Sequence, residues 1–224
     1  MTSETTTAVN LNLDFSKSVI VEAAKMEWSP SPLKGVVRRR LEREDAEQGH
    51  ATSIVRYDPG SSFKSHTHGG GEEYFVLEGT FSDQSGDYGA GFYVRNPPGS
   101  SHAPHSENGC TIFVKLCQMQ SEGEPQVNID TKTTEWQQSP LKGQQNMPLF
   151  ENDRETVQLI KLTAGVDLKF IREEIIREIL ILEGEVAYKG TDFGPQSWFR
   201  FAKNEGPTFT AAKNTTLWLK SYAR

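Results

Sequence analysis

The sequence has few cysteines, no long apolar segment and no excess of positive charge. Cys110 and Cys117 are its two cysteines, and their spacing fits neither a C-x-x-C redox pair nor a zinc knuckle. Within one strand, residues seven positions apart project from opposite faces, so we do not expect a disulfide between them. We therefore expect two reduced thiols, as is usual for proteins of the cytoplasm.

The lack of long apolar runs and of a basic surface argues against two further classes of protein. Residues 1–10 are polar, and no apolar run approaches the roughly 20 residues that span a bilayer. The net charge of −6, from 30 acidic residues and 24 lysines and arginines, argues against a nucleic-acid-binding surface. Acidic residues follow the basic triplet 38–40, which we interpret as a solvated strand edge. We expect a cytoplasmic protein with no membrane or nucleic-acid partner.

Short segments rich in β-branched and aromatic residues occur throughout the sequence. Residues 52–57, 73–77, 92–95 and 111–116 are such segments, each bounded by Gly, Pro, Asp or Ser. Residues 173–182 begin with two glutamates, but their β-branched content favours a strand over a helix. Short strands at even spacing are typical of a sandwich or closed barrel, so we predict an all-β fold.

An internal repeat organises the chain. The string E-W-x-x-S-P-L-K-G at residues 27–35 returns 108 positions later at 135–143. Further along, L-E-G at residues 77–79 returns 105 positions later at 182–184, and a deletion of three residues in the second copy explains the change of offset. The two halves of the chain are therefore expected to share one fold.

The polar stretch 118–125 is the expected boundary between the two copies, because it follows the last strand of the first copy. This boundary gives two domains, residues 1–120 and residues 121–224. We predict two barrels in tandem.

His66, His68 and Glu72 lie within seven residues, between Gly60 and Gly79. A strand has a period of two, so the two histidines project from the same face, and Glu72 shares their parity if the intervening glycines form a short bend. Two imidazoles and a carboxylate that converge on one point are typical ligands of a metal ion.

A second pattern supplies a fourth ligand: Gly91, five residues, Pro-Pro-Gly at 97–99, two residues, and His102. Three imidazoles and one carboxylate leave one or two open coordination positions, which suits Fe(II), Mn(II) or Ni(II), while the general order of affinities also favours Zn(II). The sequence does not choose among these metals. We expect one divalent metal ion per chain, with the ligands His66, His68, Glu72 and His102.

The second copy carries none of these ligands. At an offset of 105, the four positions are occupied by Ile171, Glu173, Arg177 and Pro207, and all five histidines of the chain lie in its first half. We expect the second barrel to keep the fold without a metal site. In place of the metal, we expect Glu173 and Arg177 to form an ion pair.

The two patterns together resemble, spacing for spacing, the two motifs of the cupin superfamily. The segments 56–60, 70–79, 86–88 and 96–102 are similar to the cupin domain of ChrR-type anti-sigma factors. The resemblance implies a metal-binding bicupin, that is, two tandem cupin barrels of the double-stranded β-helix or jelly-roll type. It covers residues 28–116 well and the second half weakly.

The resemblance implies functions of different classes, and whether the protein is an enzyme stays open at this point. ChrR proteins hold an extracytoplasmic-function sigma factor inactive and release it under oxidative stress, with the cupin as the metal-binding sensor. This implies a stress-responsive regulator of transcription, whose partners are a sigma factor and a small ligand or oxidant at the metal. However, the residues before Trp28 contain no His or Cys for the zinc site of that family's sigma-binding helical domain.

Two alternatives remain beside the regulator. The first is an Fe(II) cupin dioxygenase that acts on a dicarbonyl or hydroxyketone. The second is a metal-stabilised barrel used only for assembly. Since cupins often pair their edge strands, the resemblance also implies a homodimer.

Overall fold

A computed structural model describes residues 10–45, 49–119 and 123–224. Almost every regular element in these ranges is a β-strand, beside one short 3-10 helix at Ala23–Lys25. In the part of the chain that the structure describes, no helix has the length and apolar character needed to cross a membrane. The prediction of an all-β fold is confirmed.

The strands are numbered in chain order. Those of the first copy and of the segment that joins it to the second are β1 (Val19–Glu22), β2 (Ser29–Pro30), β3 (Val36–Arg43), β4 (Ala51–Tyr57), β5 (Ser61–Ser62), β6 (His66–Thr67), β7 (Glu72–Asp83), β8 (Gly86–Gly89), β9 (Phe92–Asn96), β10 (Ser101–His102), β11 (His105–Ser106), β12 (Cys110–Leu116) and β13 (Val127–Asp130). The remaining strands are β14 (Gln137–Gln138), β15 (Gln144–Glu151), β16 (Glu155–Leu162), β17 (Asp167–Lys169), β18 (Ile176–Glu183), β19 (Val186–Tyr188), β20 (Thr191–Phe193), β21 (Ser197–Phe201), β22 (Thr208–Ala211) and β23 (Thr215–Tyr222).

The strands form two compact units. The first, called barrel 1, holds Glu27–Thr133 and the described residues up to Leu13, and the second, called barrel 2, holds Asp14–Met26 and Thr134–Arg224. β1 pairs with β21 in barrel 2, and β13 pairs with β9 in barrel 1. Each barrel therefore takes one strand from the other copy of the repeat, which is how the units differ from the expected contiguous domains.

Barrel 1 is built around the long strand β7. Its residues Glu72–Gly79 pair with β12 in a sheet of order β13-β9-β7-β12-β4-β3-β2, while residues 80–83 pair with β8. Strand β11 pairs with both β5 and β7, and β6 pairs with β10. Because β7 runs from the first sheet into the second, the two sheets enclose one core, as expected for a jelly roll.

Barrel 2 has the same two layers. Its larger sheet has the order β1-β21-β18-β23-β16-β15-β14, and its smaller sheet the order β17-β22-β19-β20. The core between them is rich in aromatic side chains: Tyr188, Phe193, Phe199, Phe201 and Phe209. Two tandem barrels, as the repeat predicts, are confirmed.

The register of the strands repeats at the offset seen in the sequence. Glu72 lies opposite Leu116 in barrel 1, and Arg177 lies opposite Ser221 in barrel 2, both 105 positions later. In each barrel the register shifts by one residue near the end of the central strand. Because even this β-bulge recurs, the two copies share backbone geometry in detail.

Gly79 and Gly184 show why the L-E-G string recurs. They have φ angles of +71° and +82°. A Cβ atom at Gly79 would lie 2.1 Å from the carbonyl oxygen of Gly109, and one at Gly184 would lie 2.2 Å from that of Asn214. Only glycine fits such a close approach of two strands.

The structure corrects the interpretation of residues 38–40 as a solvated strand edge. All three arginines are half-buried. The guanidinium of Arg39 stacks on Trp28, 4.1 Å from the ring centre, and Arg56 stacks on the same ring at 4.5 Å. The strand is covered rather than solvated on this face.

Both cysteines are free, with Cys110 buried and Cys117 exposed. Cys110 belongs to the apolar core of barrel 1 together with Ile112 and Val114. Its burial raises the pKa of the thiol to about 11, with a hydrogen bond to Ser106 lowering it in part. A thiol of this kind is unreactive at neutral pH.

Candidate metal centre

Three imidazoles meet in barrel 1, and the strands that carry them fix their positions. His66 on β6 lies opposite His102 on β10. His68 follows β6, where its backbone N–H donates to Ser100 and its carbonyl accepts from Gly99. The loop that carries the Pro-Pro-Gly string is thereby tied to the strand that carries the first two histidines.

The three rings lie close together. Their centres are 5.0 Å apart for His66–His68 and for His66–His102, and 4.7 Å apart for His68–His102. One nitrogen from each ring lies within 4.8 Å of the others. His68 and His102 are buried, and His66 is the least buried of the three. This histidine cluster has the spacing of ligands that could share one divalent metal ion.

Glu72 lies beside the histidine cluster at the first residue of β7. Its Oε2 atom is 3.5 Å from Nε2 of His68 and 3.4 Å from Nε2 of His102. Ligand atoms that surround an ion at about 2.1 Å are themselves about 3 to 3.5 Å apart. These two separations therefore match ligand atoms of a shared ion.

Two buried nitrogen atoms give an independent test of the fit. Nε2 of His68 and Nε2 of His102 are buried and make no hydrogen bond within the described residues. Buried polar atoms without a partner are rare and costly, and they often mark an ion or water site. Imidazole and carboxylate donors are those preferred by Zn(II), Fe(II), Ni(II) and Mn(II). The residues present fit a divalent metal ion.

Hydrogen bonds on the outer side of the rings orient these nitrogens. Nδ1 of His102 donates to the carboxylate of Asp83 over 3.1 Å, and Nδ1 of His66 donates to the carbonyl of Lys64 over 3.1 Å. A proton held on Nδ1 leaves Nε2 with the lone pair that binds metal. The outer partners thus set the tautomer that a ligand needs.

The carboxylate of Glu72 is also held from behind. The side-chain amide of Asn96 donates to Oε2 of Glu72 over 3.0 Å, and that of Gln126 donates to the Asn96 oxygen over 2.9 Å. Gln126 precedes β13, the strand that the second copy contributes to barrel 1. The orientation of Glu72 therefore depends partly on this added segment.

Burial sets the charge states of the site. It lowers the pKa of His68 to about 3, with repulsion from His102 and His66 adding to the effect. It also lowers the pKa of His102, although the hydrogen bond to Asp83 opposes this. The two rings are therefore neutral at pH 7, which is the state that binds a metal ion.

Burial has the opposite effect on the pKa of Glu72. It raises the pKa of Glu72 to about 7, where the hydrogen bond from Asn96 lowers it and the charge of Asp83 raises it. A carboxylate that is costly to ionise in this way is stabilised by a cation placed beside it. The site is thus electrostatically suited to a positive ion.

Asp83 and Asn96 were not found from the sequence, although the repeat holds a signal for both. At the offset of 105 that exposes the lost ligands, Asp83 corresponds to Tyr188 and Asn96 to Phe201. Both replacements lie in the apolar core of barrel 2. Polar residues that become core aromatics in the second copy were therefore candidates for supporting the site.

In barrel 2, the predicted ion pair is confirmed. The guanidinium of Arg177 contacts the carboxylate of Glu173 directly and lies 5.2 Å over the ring of Phe170. Its Nη1 atom also donates to the carbonyl of Glu205 over 3.4 Å. A cationic side chain therefore lies on the strand position that carries Glu72 in barrel 1.

A cavity of about 460 Å³ adjoins the histidine cluster. His66, His68 and Glu72 form part of its wall. Much of the remaining wall is apolar and includes Phe63 and Ile112. This volume is within the range of small-molecule sites.

Comparisons with known proteins agree with this architecture. Residues 16–120 match the family model described as the ChrR cupin-like domain. No protein of curated function is similar enough in sequence to count as a relative.

Solved structures share the fold over most of the chain. A putative dioxygenase from Nostoc punctiforme has 13% identity and a TM-score of 0.78 over 93% of this chain and 83% of its own. A bacterial pirin from Escherichia coli in complex with nickel(II) has 13% identity and a TM-score of 0.70 over 92% and 99%. Salicylate 1,2-dioxygenase from Pseudoaminobacter salicylatoxidans has 12% identity and a TM-score of 0.62 over 77% and 70%. At these identities the likeness shows a common fold.

Proposed function

We propose that barrel 1, which holds most of the residues that match the ChrR cupin-like domain, is a metal-dependent dioxygenase acting on a small dicarbonyl or hydroxyketone. The observation that carries the proposal is the cavity of about 460 Å³ that reaches His66, His68 and Glu72. It gives a small molecule access to the position where the ligands converge. A site used only to stabilise a barrel does not need such a space.

The ligands of the proposed ion are those predicted from the sequence: His66, His68, Glu72 and His102. When bound, Fe(II) would act as a Lewis acid and template for the substrate and would supply the redox chemistry with oxygen. One carboxylate and three neutral imidazoles leave coordination positions open. We propose one ion per chain.

The two sides of the proposed centre have different tasks. His66, His68 and Glu72 border the cavity, and they would present the ion to the substrate. On the other side, Asp83 holds His102 and Asn96 holds Glu72. These polar contacts fix the ligand atoms while the substrate side remains open. Such rigid support keeps ligands in a productive geometry.

The proposed substrate has two neighbouring oxygens on an apolar body, and the wall of the cavity offers both ligand residues and apolar side chains. The two oxygens would lie toward His66, His68 and Glu72, and the apolar remainder would lie against Phe63, Val55 and Ile112. These side chains exclude water from the bound substrate, which strengthens the electrostatic interactions at its oxygen atoms.

A second candidate function is a metal-dependent sensor, and the match of residues 16–120 to the ChrR cupin-like domain favours it. In this case the ion would bind or react with an oxidant or small ligand. The protein would then control a sigma factor and thereby a transcriptional response to stress.

Oxygen uptake distinguishes the two candidates. The full chain is analysed for metal as isolated, reloaded anaerobically with Fe(II), and supplied with β-dicarbonyl and hydroxyketone compounds. We expect substrate-dependent uptake that His68→Ala abolishes and Glu173→Ala, at the equivalent position of barrel 2, leaves unchanged. No uptake with any compound, together with binding of a purified sigma factor, would favour the sensor and contradict the enzyme.

A further inference from the structure

We propose that the hydroxyl of Tyr57 donates a hydrogen bond to a carbonyl oxygen of the molecule that occupies the cavity of barrel 1. The inference rests on the proposed function and deepens it, because it assigns a specificity-determining residue to the same site. The ligand class is a neutral ketone or dicarbonyl with an apolar body, which suits the mixed wall of a cavity of about 460 Å³.

The register of the sheet places Tyr57 on the inner face of β4. It lies opposite Cys110, and both residues belong to the apolar core of barrel 1. Directly opposite residues of antiparallel strands project from the same face. Tyr57 also lines the cavity, in one wall with His66, His68 and Glu72. The phenol therefore borders the space that a ligand would fill.

Neighbouring rings hold the phenol of Tyr57 in place. Its ring centre lies 5.4 Å from that of Phe63 and 5.5 Å from that of Phe81, and the second pair is nearly perpendicular at 81°. The ring of Phe63 lies 6.2 Å from that of His66, and the ring of Phe81 lies 6.1 Å from that of His102. A donor that is already held by packing loses little conformational freedom when a ligand binds.

The hydroxyl of Tyr57 makes no hydrogen bond within the described residues, although the residue is only 7% exposed. A buried tyrosine hydroxyl usually has a partner, and one that is left unpaired costs free energy. An oxygen atom of a ligand in the cavity would offset this cost. The hydroxyl is therefore available to a ligand that carries a hydrogen-bond acceptor.

Burial keeps this hydroxyl protonated at neutral pH. It raises the pKa of Tyr57, and the negative charge of Glu72 raises the pKa further. A carboxylate that affects the phenol in this way lies within electrostatic range of it. Since a protonated phenol donates a hydrogen bond, Tyr57 complements a carbonyl oxygen held near the proposed metal ligand.

Barrel 2, which lacks the metal ligands, also lacks this hydroxyl. At the offset of 105, Tyr57 corresponds to Leu162, which lies opposite Thr215 as Tyr57 lies opposite Cys110. Leu162 belongs to the apolar core of barrel 2. The barrel therefore accepts an aliphatic side chain at this position, and its folding does not require the hydroxyl. The hydroxyl is associated with the site rather than with the fold.

Tyr74 provides a matched control in the same core. It lies opposite Val114, and its buried hydroxyl also makes no hydrogen bond within the described part of the chain. It is not among the described residues that line the cavity. Tyr57→Phe and Tyr74→Phe each remove one unpaired hydroxyl from barrel 1, but only the first changes the cavity wall.

Calorimetric titration with two isosteric probes tests the proposal. The full chain, both zinc-loaded and chelator-treated, is titrated with acetophenone, which carries a C=O group, and with α-methylstyrene, which carries a C=CH2 group in its place. In both forms, we expect Tyr57→Phe to weaken binding of acetophenone relative to α-methylstyrene by about five- to tenfold, as is typical of one hydrogen bond. Tyr74→Phe should change this ratio by less than about twofold.

The infrared spectrum of the bound ketone gives a second measurement. A hydrogen bond from Tyr57 weakens the C=O bond, so the stretching band of acetophenone bound to chelator-treated protein should move to higher wavenumber in Tyr57→Phe. It should stay in place in Tyr74→Phe. A purely structural role of Tyr57 would weaken binding of both probes alike and leave this band unchanged.

Three results would overturn the inference. An unchanged ratio of affinities in Tyr57→Phe would show that its hydroxyl does not meet the ligand oxygen. A ratio that changes with Tyr74→Phe instead would assign the contact to the other hydroxyl. Failure of the wild type to bind either probe would contradict the ligand class.

The same titrations separate this inference from the proposed function. If no compound supports oxygen uptake but a preference for acetophenone that depends on Tyr57 persists, the dioxygenase proposal fails and the ketone site stands. If Fe(II) supports oxygen uptake and Tyr57→Phe leaves the ratio of affinities unchanged, the inference about Tyr57 fails alone.

Discussion

Barrels 1 and 2 have the same backbone fold but differ in the side chains of their interiors. Both bend at a glycine with positive φ, Gly79 and Gly184, and both carry a bulge at the same repeat position. Inside, barrel 1 places polar residues around a point at which imidazole nitrogens converge. Barrel 2 has tyrosine and phenylalanine at the positions of the supporting polar residues. The residues that form the barrel are therefore separable from those that form the site.

Barrel 1 buries polar groups at the site that have no counterpart in barrel 2. Barrel 1 buries a carboxylate whose pKa is raised to about 7 and nitrogen atoms without hydrogen-bond partners. In barrel 2 the equivalent strand position has Arg177, whose charge is matched by Glu173. Burial of unmatched polar groups destabilises a fold unless a ligand offsets it. We expect bound metal to stabilise barrel 1 alone.

The largest expected effect is loss of metal from a ligand variant. His68→Ala should lower the affinity for Zn(II) by a thousandfold or more, on the order of 4 kcal/mol, because it removes one of four ligand atoms from a buried site. Glu173→Ala at the equivalent position of barrel 2 should leave both affinity and stoichiometry unchanged. Elemental analysis and competition with a chromophoric chelator measure both. Two equivalents of metal per wild-type chain would contradict the difference between the barrels.

Replacement of either shared glycine should destabilise the protein by a similar amount. Gly79→Ala and Gly184→Ala should each reduce the free energy of unfolding by about 3 kcal/mol, since the new methyl group meets a backbone oxygen and φ is positive. Gly60→Ala is the control, with φ of +76° and no atom within 4 Å of the added Cβ, and should cost about 1 kcal/mol. Urea unfolding followed by circular dichroism measures the changes. Equal costs at Gly79 and Gly60 would show that the close approach is unimportant.

The residues behind the ligands should have a smaller effect. Asp83→Ala should weaken metal binding by about 10 to 100-fold, and Asp83→Asn by less, because the amide oxygen can still accept from Nδ1 of His102. Tyr188→Phe at the equivalent position of barrel 2 should leave metal affinity unchanged. The same chelator competition reports all three variants. If Asp83→Ala bound metal as tightly as the wild type, orientation of His102 would not depend on this carboxylate.

The smallest expected effect is a dependence of metal affinity on pH. Glu72 has a pKa raised to about 7, so a proton increasingly competes with the metal below that pH, and affinity should fall about tenfold from pH 8 to pH 6. His68, with its pKa lowered to about 3, stays neutral over this range and does not contribute.

The variant Glu72→Gln tests the origin of this slope. It should bind metal more weakly at pH 8 and lose most of the pH dependence, because the amide does not titrate. Affinity of the wild type that is constant from pH 8 to pH 6 would contradict the role of Glu72 as a ligand.

Much of the fold was predictable because the repeat constrains the register. The predicted strand at 52–57 is found at Ala51–Tyr57, and the predicted strand at 111–116 at Cys110–Leu116. The predicted strand at 173–182 is found at Ile176–Glu183, and begins later because the residues before it form the ion-pair loop. The alternation of apolar and polar residues along the chain therefore locates each strand to within a few residues.

The residues that support the ligands, and the arginines that line the cavity, were harder to predict, because their positions depend on contacts between distant strands. Asp83 reaches His102 only because β7 continues into the second sheet. Arg43 rather than Glu42 faces the cavity because the register shifts in β3. A bulge reverses the parity of every residue beyond it, and the sequence of a single strand does not mark its position.

Because β1 and β13 pair outside their own copies of the repeat, the two barrels close in a fixed order during synthesis. Val19 pairs with Arg200, so β1 leaves the ribosome 181 residues before its partner. At about 5 to 20 residues per second, this strand waits on the order of ten seconds or more for barrel 2. Barrel 1 receives β13 soon after its own last strand, and it can close first. A gene fragment that is to encode barrel 1 alone should therefore extend through Thr133, so that it includes β13.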